Sequence, residues 1–333
     1  MTTATDIENG TEVLAHLKGD LDAVDARILE TVDIGIPKVS GLVQSVVKTS
    51  GKRLRPSLLL LVARSFEPDG RALISAAAGV ELLHTASLVH DDDIDHAALR
   101  RGRPTLSTQV NSVTAILIGD FLFAQSAILA AATDSTRVVS VFASTLGNLC
   151  QGQIREMLES HAIDQSLEQY ETRIYGKTAS LFAGAAEMGA IIGGATEHQI
   201  TEIRAFGRDL GMAFQIVDDI LDVAGESGTI GKPAGNDLRQ GTVTLPVMHY
   251  VAGLAPDSSE RARLEGVVSG DLTEDTVIAG VIADIRASGA LESAMDVARD
   301  YITCAIERLD VIPDPTYRAR LAQIARLVVE RNA

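Results

Sequence analysis

VELLHTASLVHDDDID, residues 80–95, runs an apolar segment straight into a cluster of carboxylates. The apolar spacing is helical, and Asp91 and Asp95 are four residues apart, one turn from each other on one face. GMAFQIVDDILD, residues 211–222, repeats the arrangement with Asp218 and Asp222. Aspartate is a poor helix-interior residue, so a stack of them at a helix end needs a reason. Paired carboxylates repel unless a cation lies between them, and an all-oxygen set suits Mg²⁺, which also takes water and substrate phosphate oxygens. A solvated acidic helix end would explain one such cluster; two similar clusters point to paired metal sites.

Working outward, apolar residues recur at three- and four-residue spacing in 13–35, 71–90, 111–131, 136–158, 179–193, 200–223, 274–307 and 316–331. Strand-type alternation and repeats are missing. These features predict one all-α domain over residues 11–333 after a flexible N-terminus, residues 1–10. Of the 333 residues, 46% are hydrophobic and only 4% aromatic, which favours close helix packing by Ala, Leu, Val and Ile.

The net charge of −16 argues against nucleic acid as a partner, yet a small anion can bind where metal ions and a few cations reverse the local sign. The longest uninterrupted apolar run, Leu58 to Ala63, is far short of a membrane span, and the first residues are acidic rather than signal-like, so a cytoplasmic protein is expected. Cys150 and Cys304 match no metal spacing and read as reduced core residues.

Basic residues number only 29, but several fall in tight sets: Lys52, Arg53 and Arg55 before a helix, Arg100, Arg101 and Arg103 after the first cluster, Lys177 in YGKTASLF, and Lys232 in a Gly-rich loop. Arg forks match phosphate oxygens and Lys supplies a point charge. Each set alone reads as surface or capping charge; beside two metal-type clusters they describe a site for two diphosphates. His84, two turns before Asp91, joins them as an anion-binding candidate.

GKRLRP, LLHTASLVHDDDID, LRRGRPT, GDFLFA, YGKTASLF, FQIVDDILD and GKPAGNDLRQGTVTLP, in that order from residue 51 onward, together resemble the trans-isoprenyl diphosphate synthases, or polyprenyl synthetases. The resemblance implies a helical bundle around a deep central cavity, usually homodimeric, and Mg²⁺-dependent head-to-tail condensation of an allylic diphosphate with isopentenyl diphosphate. It implies three Mg²⁺ ions per loaded site. Asp91, Asp95 and Asp218 match the principal metal ligands and, with Lys177 and Lys232, the catalytic set; Asp92, Asp219 and Asp222 support them. Gly51, Lys52, Arg55, His84 and Arg101 match the isopentenyl diphosphate side. Arg100, Lys177, Thr178, Gln215 and Lys232 match the allylic side. Product release by peripheral contact with a membrane is compatible with this class.

Two departures stand out. Thr242 occupies a position where many relatives carry a further Lys, and Asp93 stands where an apolar residue is usual; Asp93 points off the Asp91–Asp95 face and is expected outside the metal shell. Ser87 lies one turn, about 5.4 Å, below Asp91, flanked by Ala86, where short-chain relatives carry a bulky aromatic, which implies a tail of geranylgeranyl length or longer, about C30–C50 favoured. Phe142 is the candidate floor. Rival readings are a synthase of shorter product (geranylgeranyl or farnesyl), a catalytic subunit that needs a small partner, a class I terpene cyclase, and an HD-type phosphohydrolase. The last needs further His ligands that His16, His96, His161, His198 and His249 do not supply in any convincing pattern.

Overall fold

The computed structural model describes residues 15–48, 51, 53–66, 68, 70–100, 102–225 and 234–330; the N-terminal segment expected to be flexible lies outside them. Helices α1 (Lys18–Thr31), α2 (Pro37–Lys48) and α3 (Leu54–Arg64) lead into α4 (Gly70–Ile94), which carries the first aspartate cluster at its C-terminal end. A short antiparallel pair of two-residue strands, Leu99–Arg100 with Arg103–Pro104, follows; it is the only strand pairing among the described residues. Then come α5 (Leu106–Gln109), α6 (Ser112–Ala131), α7 (Thr136–Glu159), α8 (Leu167–Ile174), a π-turn (Tyr175–Ala179), α9 (Ser180–Ile192) and α10 (Glu197–Ala224). The chain closes with α11 (Asn236–Arg239), α12 (Leu245–Ala252), α13 (Ser259–Ser269), α14 (Asp275–Ala287), α15 (Ala290–Arg308) and α16 (Pro315–Val329).

The ends of the site-bearing helices are set by local chemistry. Ser166 with Gln169 and Thr196 with Gln199 form capping boxes that start α8 and α10, each pairing orphan backbone N–H groups with side-chain oxygens. The single helical run expected over 274–307 is instead two helices, because Gly289 adopts φ +81° between α14 and α15, a conformation other residues pay to reach.

The main core surrounds α4, α9 and α10. Helix α4 packs along α6, α9 along α3 and α7, and α10 between α9 and α15. In α3, every residue from Pro56 to Ala63 is buried. A second apolar cluster, built on Val223, Leu238, Val247, Leu264, Ile282 and Ile285, packs beneath the C-terminal end of α10. It seats the helix that carries the second aspartate cluster.

Two sequence expectations change here. Cys150 and Cys304 are free and exposed rather than core residues. Helices Gly70–Ile94 and Ser112–Ala131 are both long and apolar enough to cross a membrane by length and composition, although no uninterrupted apolar run suggested it. Most of α4 is buried as a core helix. Helix α6 leaves Val113, Ile116, Leu117 and Ile128 exposed, and α7 adds Ile154, Met157 and Leu158.

Candidate active site

The helix of the second aspartate cluster, α10, packs on the π-turn, and the charge of Lys177 in that turn acts on Asp91 of the first. Gly152 of α7 and Gly176 cross so closely that a Cβ on Gly152 would lie 2.2 Å from the Lys177 backbone nitrogen, and one on Gly176 would lie 2.8 Å from the Gly152 Cα. This crossing brings α8 and α9 onto α7 and turns Lys177 to form an ion pair with Glu156, one turn beyond Gly152. A π-turn inside a helix frequently marks a functional position.

Asp95, Glu156, Lys177, Gln215, Asp219 and Thr242 line one cavity with Arg173 and Asp237. Burial pushes the Asp91 carboxyl up to about 6; Lys177 pulls it down, while Asp95 and Glu156 push it further up. Burial works against the Lys177 ammonium, but Glu156 and Asp91 outweigh it and its pKa is raised. Burial also drives Asp237 well above its ordinary range, with Asp222 and Asp219 adding repulsion. The burial and mutual repulsion that raise Asp91 and Asp237 are what a divalent cation would relieve.

The donor set fits Mg²⁺: oxygen only, on two facing helices. Among the described residues no group of three or more His, Cys, Asp or Glu is placed to hold a metal ion by itself. An ion here would have to complete its octahedron with water and substrate phosphate oxygens.

The supporting aspartates hold the scaffold. Asp219 is 3% exposed; it accepts hydrogen bonds from Tyr170 Oη at 2.7 Å and from Gln215 Nε2 at 2.7 Å. Burial pushes its carboxyl up to about 7 against the pull of those two donors. Gln215 in turn accepts from Thr178 Oγ1 at 2.6 Å, so α8, the π-turn and α10 are joined through one polar chain. Asp222 accepts from the backbone nitrogens of Asn236 and Asp237, each at 3.1 Å, and so caps α11. Asp92 receives Arg100 Nε at 2.7 Å, and Asp93 receives Ser112 Oγ at 2.6 Å.

Arg55 and His84 come within 3.1 Å, with the Arg55 guanidinium 4.5 Å above the Phe182 ring. Arg53 adopts φ 53° and pairs with buried Glu81 at 2.6 Å and Asp25 at 2.7 Å, which anchors the loop that presents Arg55. Gly51 is exposed beside it. Lys52, Arg101 and Lys232 lie outside the described residues. Ala86 is fully buried, Ser87 bonds the His84 carbonyl at 2.9 Å, and Phe142 is buried on α7.

Glu156, Tyr170, Arg173 and Asp237 were not singled out from the sequence. Asp237 sits inside the GKPAGNDLRQ segment already read for Lys232, so its charge was a usable signal. Glu156 and Arg173 each lie among other charged residues in QGQIREMLES and YETRIYGKT, and only the helix crossing distinguishes them.

Proton competition gives a first prediction. A metal ligand must be deprotonated, so the Mg²⁺ concentration giving half-maximal activity should rise as pH falls through about 7 and about 6, the Asp219 and Asp91 values. A Mg²⁺ titration across pH 5–8 checks it.

Residues 36–285 match the polyprenyl synthetase family. The chain is 36% identical to heptaprenyl diphosphate synthase component 2 of Geobacillus stearothermophilus, with 96% of this chain and 98% of that protein covered. A decaprenyl diphosphate synthase from Rhodobacter capsulatus superposes with a TM-score of 0.90 at 35% identity, covering 96% and 98% of the two chains. A polyprenyl synthase from Caulobacter crescentus, complexed with calcium and isoprenyl diphosphate, gives a TM-score of 0.92 at 31% identity, covering 97% and 98%. With Asp95 and Asp219, one from each aspartate cluster, lining one cavity and the likeness spanning nearly the whole chain, this protein belongs to the polyprenyl synthetase family.

Proposed function

We propose that the protein is a trans-prenyltransferase that joins an allylic diphosphate head-to-tail to isopentenyl diphosphate and makes a medium- to long-chain polyprenyl diphosphate. The observation that supports this reading is a pair of cations in different surroundings: Lys177 paired with Glu156 among the aspartates, and Arg55 donating to His84 and stacked on Phe182. A terpene cyclase has one diphosphate to hold and no use for the second set.

Asp91, Asp95 and Asp218 would hold Mg²⁺, which supplies neutralisation of the charge that develops on a departing diphosphate. Lys177 and Thr178 orient the allylic diphosphate from the π-turn. Arg55 and His84 hold isopentenyl diphosphate so that its double bond faces the allylic C1. As the C1–O bond breaks, a new C–C bond forms and a proton leaves the isopentenyl carbon, with the released diphosphate as its acceptor. The apolar walls of α4 and α9 exclude water that would otherwise quench the allylic cation.

The tail runs past Ala86 and Ser87 towards Phe142. Ser87→Phe should shorten the product by at least one isoprene unit, read by chromatography of the dephosphorylated alcohols, and Phe142→Ala should lengthen it. Unchanged products in both variants would remove these residues from length control. The exposed apolar faces of α6 and α7 suit a second copy of the chain, and a homodimer is part of this reading, as is a cytoplasmic location.

The name component 2, carried by a relative 36% identical, favours a second reading in which elongation needs a smaller partner subunit. One experiment separates the two: purified protein is incubated with Mg²⁺, isopentenyl diphosphate and farnesyl diphosphate, and the products are sized. Elongation by the single chain supports self-sufficiency, whereas none with any allylic starter contradicts it.

A further inference from the structure

Arg173 is 2% exposed yet lines the same cavity as Lys177, Asp219 and Thr242. A buried guanidinium is costly unless it is well bonded and needed. Its Nη1 donates to Gln165 Oε1 at 2.6 Å and its Nη2 to the Val243 carbonyl at 2.5 Å. Glu159 lies at 3.5 Å, and the Tyr170 ring centroid at 5.6 Å. These contacts fix the cation rigidly between α8 and the segment that follows α11.

The charge balance of the cavity explains why such a cation is placed there. Asp95, Glu156, Asp219 and Asp237 all line it, and Lys177 already faces Glu156. A dianionic or trianionic ligand entering this set needs positive potential that Lys177 alone does not provide. Arg173 is the other cation lining the cavity among the described residues. Unlike a solvent-facing Lys, it is already held by these contacts, so little ordering is required when the anion arrives.

We infer that Arg173 is a further determinant of allylic-diphosphate affinity, a fixed buried cation that offsets the cavity carboxylates and holds the Thr242–Val243 backbone against the site. This rests on the prenyltransferase reading above. Thr242 adjoins the carbonyl that Arg173 grips and lines the same cavity, so a Lys at 242 can place its ammonium close to the space that Arg173 serves.

The test uses the full chain with saturating Mg²⁺. Arg173→Met should raise the KM for the allylic diphosphate and the Kd for inorganic diphosphate by about tenfold, with the KM for isopentenyl diphosphate changed less than twofold. Arg173→Met with Thr242→Lys should recover at least a third of that loss, and Arg173→Lys should stay within about threefold of wild type. A Met variant that melts earlier but binds both diphosphates as wild type does makes Arg173 structural only and overturns the inference. So does a folded double variant with no recovery. Should Arg173→Met not fold, Arg173→Lys decides: a tenfold rise in the allylic KM with unchanged melting overturns it, and a value near wild type supports it. If wild type elongates nothing, the prenyltransferase reading fails, while the inorganic diphosphate titration still judges Arg173.

Discussion

Asp91→Asn is expected to lower kcat/KM by at least about 10³-fold and, at the same time, to raise the melting temperature of the metal-free protein at pH 7.5. The first effect follows from removing a carboxylate that would hold the metal against the departing diphosphate. The second follows from burial. The Asp91 carboxyl stands at about 6 in the fold against an ordinary 3.8, so its ionised form is disfavoured in the native state. The sign is fixed by that direction. The penalty is fully present above pH 6, fades as pH falls, and is absent below about pH 3.8, where both states are protonated. At roughly 1.4 kcal/mol per unit, discounted for partial exposure, the neutral isostere should gain about 2 kcal/mol at pH 7.5 and nothing near pH 3.5. Saturating Mg²⁺ should narrow the gap by stabilising wild type alone. Differential scanning calorimetry at the two pH values, with and without Mg²⁺, measures this. Equal melting temperatures at pH 7.5 would mean that Asp91 carries no desolvation penalty.

Gly152→Val should cost more stability than any single site substitution. A branched side chain there must occupy the space of the Lys177 nitrogen and the Gly176 carbonyl carbon, 2.2 and 2.6 Å from the added Cβ. Both neighbours are backbone, so no rotamer change relieves the clash and α7 must separate from the π-turn. Overpacking of this kind costs about 3 kcal/mol or more. The separation also moves Lys177 away from Glu156 and Asp91, so kcat should fall by at least about 10²-fold in molecules that remain folded. Urea unfolding with single-turnover kinetics on the folded fraction checks both parts. A stable variant with an unchanged rate would remove the crossing from the account.

The helices that carry chemistry were the legible part. Periodicity marks α4 and α10, and the four-residue spacing of Asp91 with Asp95 and of Asp218 with Asp222 puts each pair on one face from the sequence alone. The break at Gly289 was hidden because apolar spacing runs through 274–307 without a change of period, and only the positive φ shows the turn. The span-like character of α6 was hidden for the opposite reason: polar residues such as Asp120 and Gln125 interrupt every apolar run, while the mean over the helix stays high. Within the site, sequence reasoning assigned oxygens to metal by residue type. It could not see that Asp219 is held by Tyr170, or that Asp222 caps α11, because those partners are 49 and 14–15 residues away. Glu156 and Arg173 were invisible for a related reason: a charge on an amphipathic helix reads as solvent-facing until a neighbouring helix covers it.

The central claim is that two diphosphates react at this site in a metal-dependent condensation. The most direct measurement is the release of inorganic diphosphate alongside uptake of labelled isopentenyl diphosphate, with each substrate and Mg²⁺ omitted in turn. The account predicts one diphosphate released per isopentenyl unit incorporated, and release only when the allylic starter, isopentenyl diphosphate and Mg²⁺ are all present. Equal release from the allylic diphosphate alone, with no isopentenyl incorporation, would contradict it.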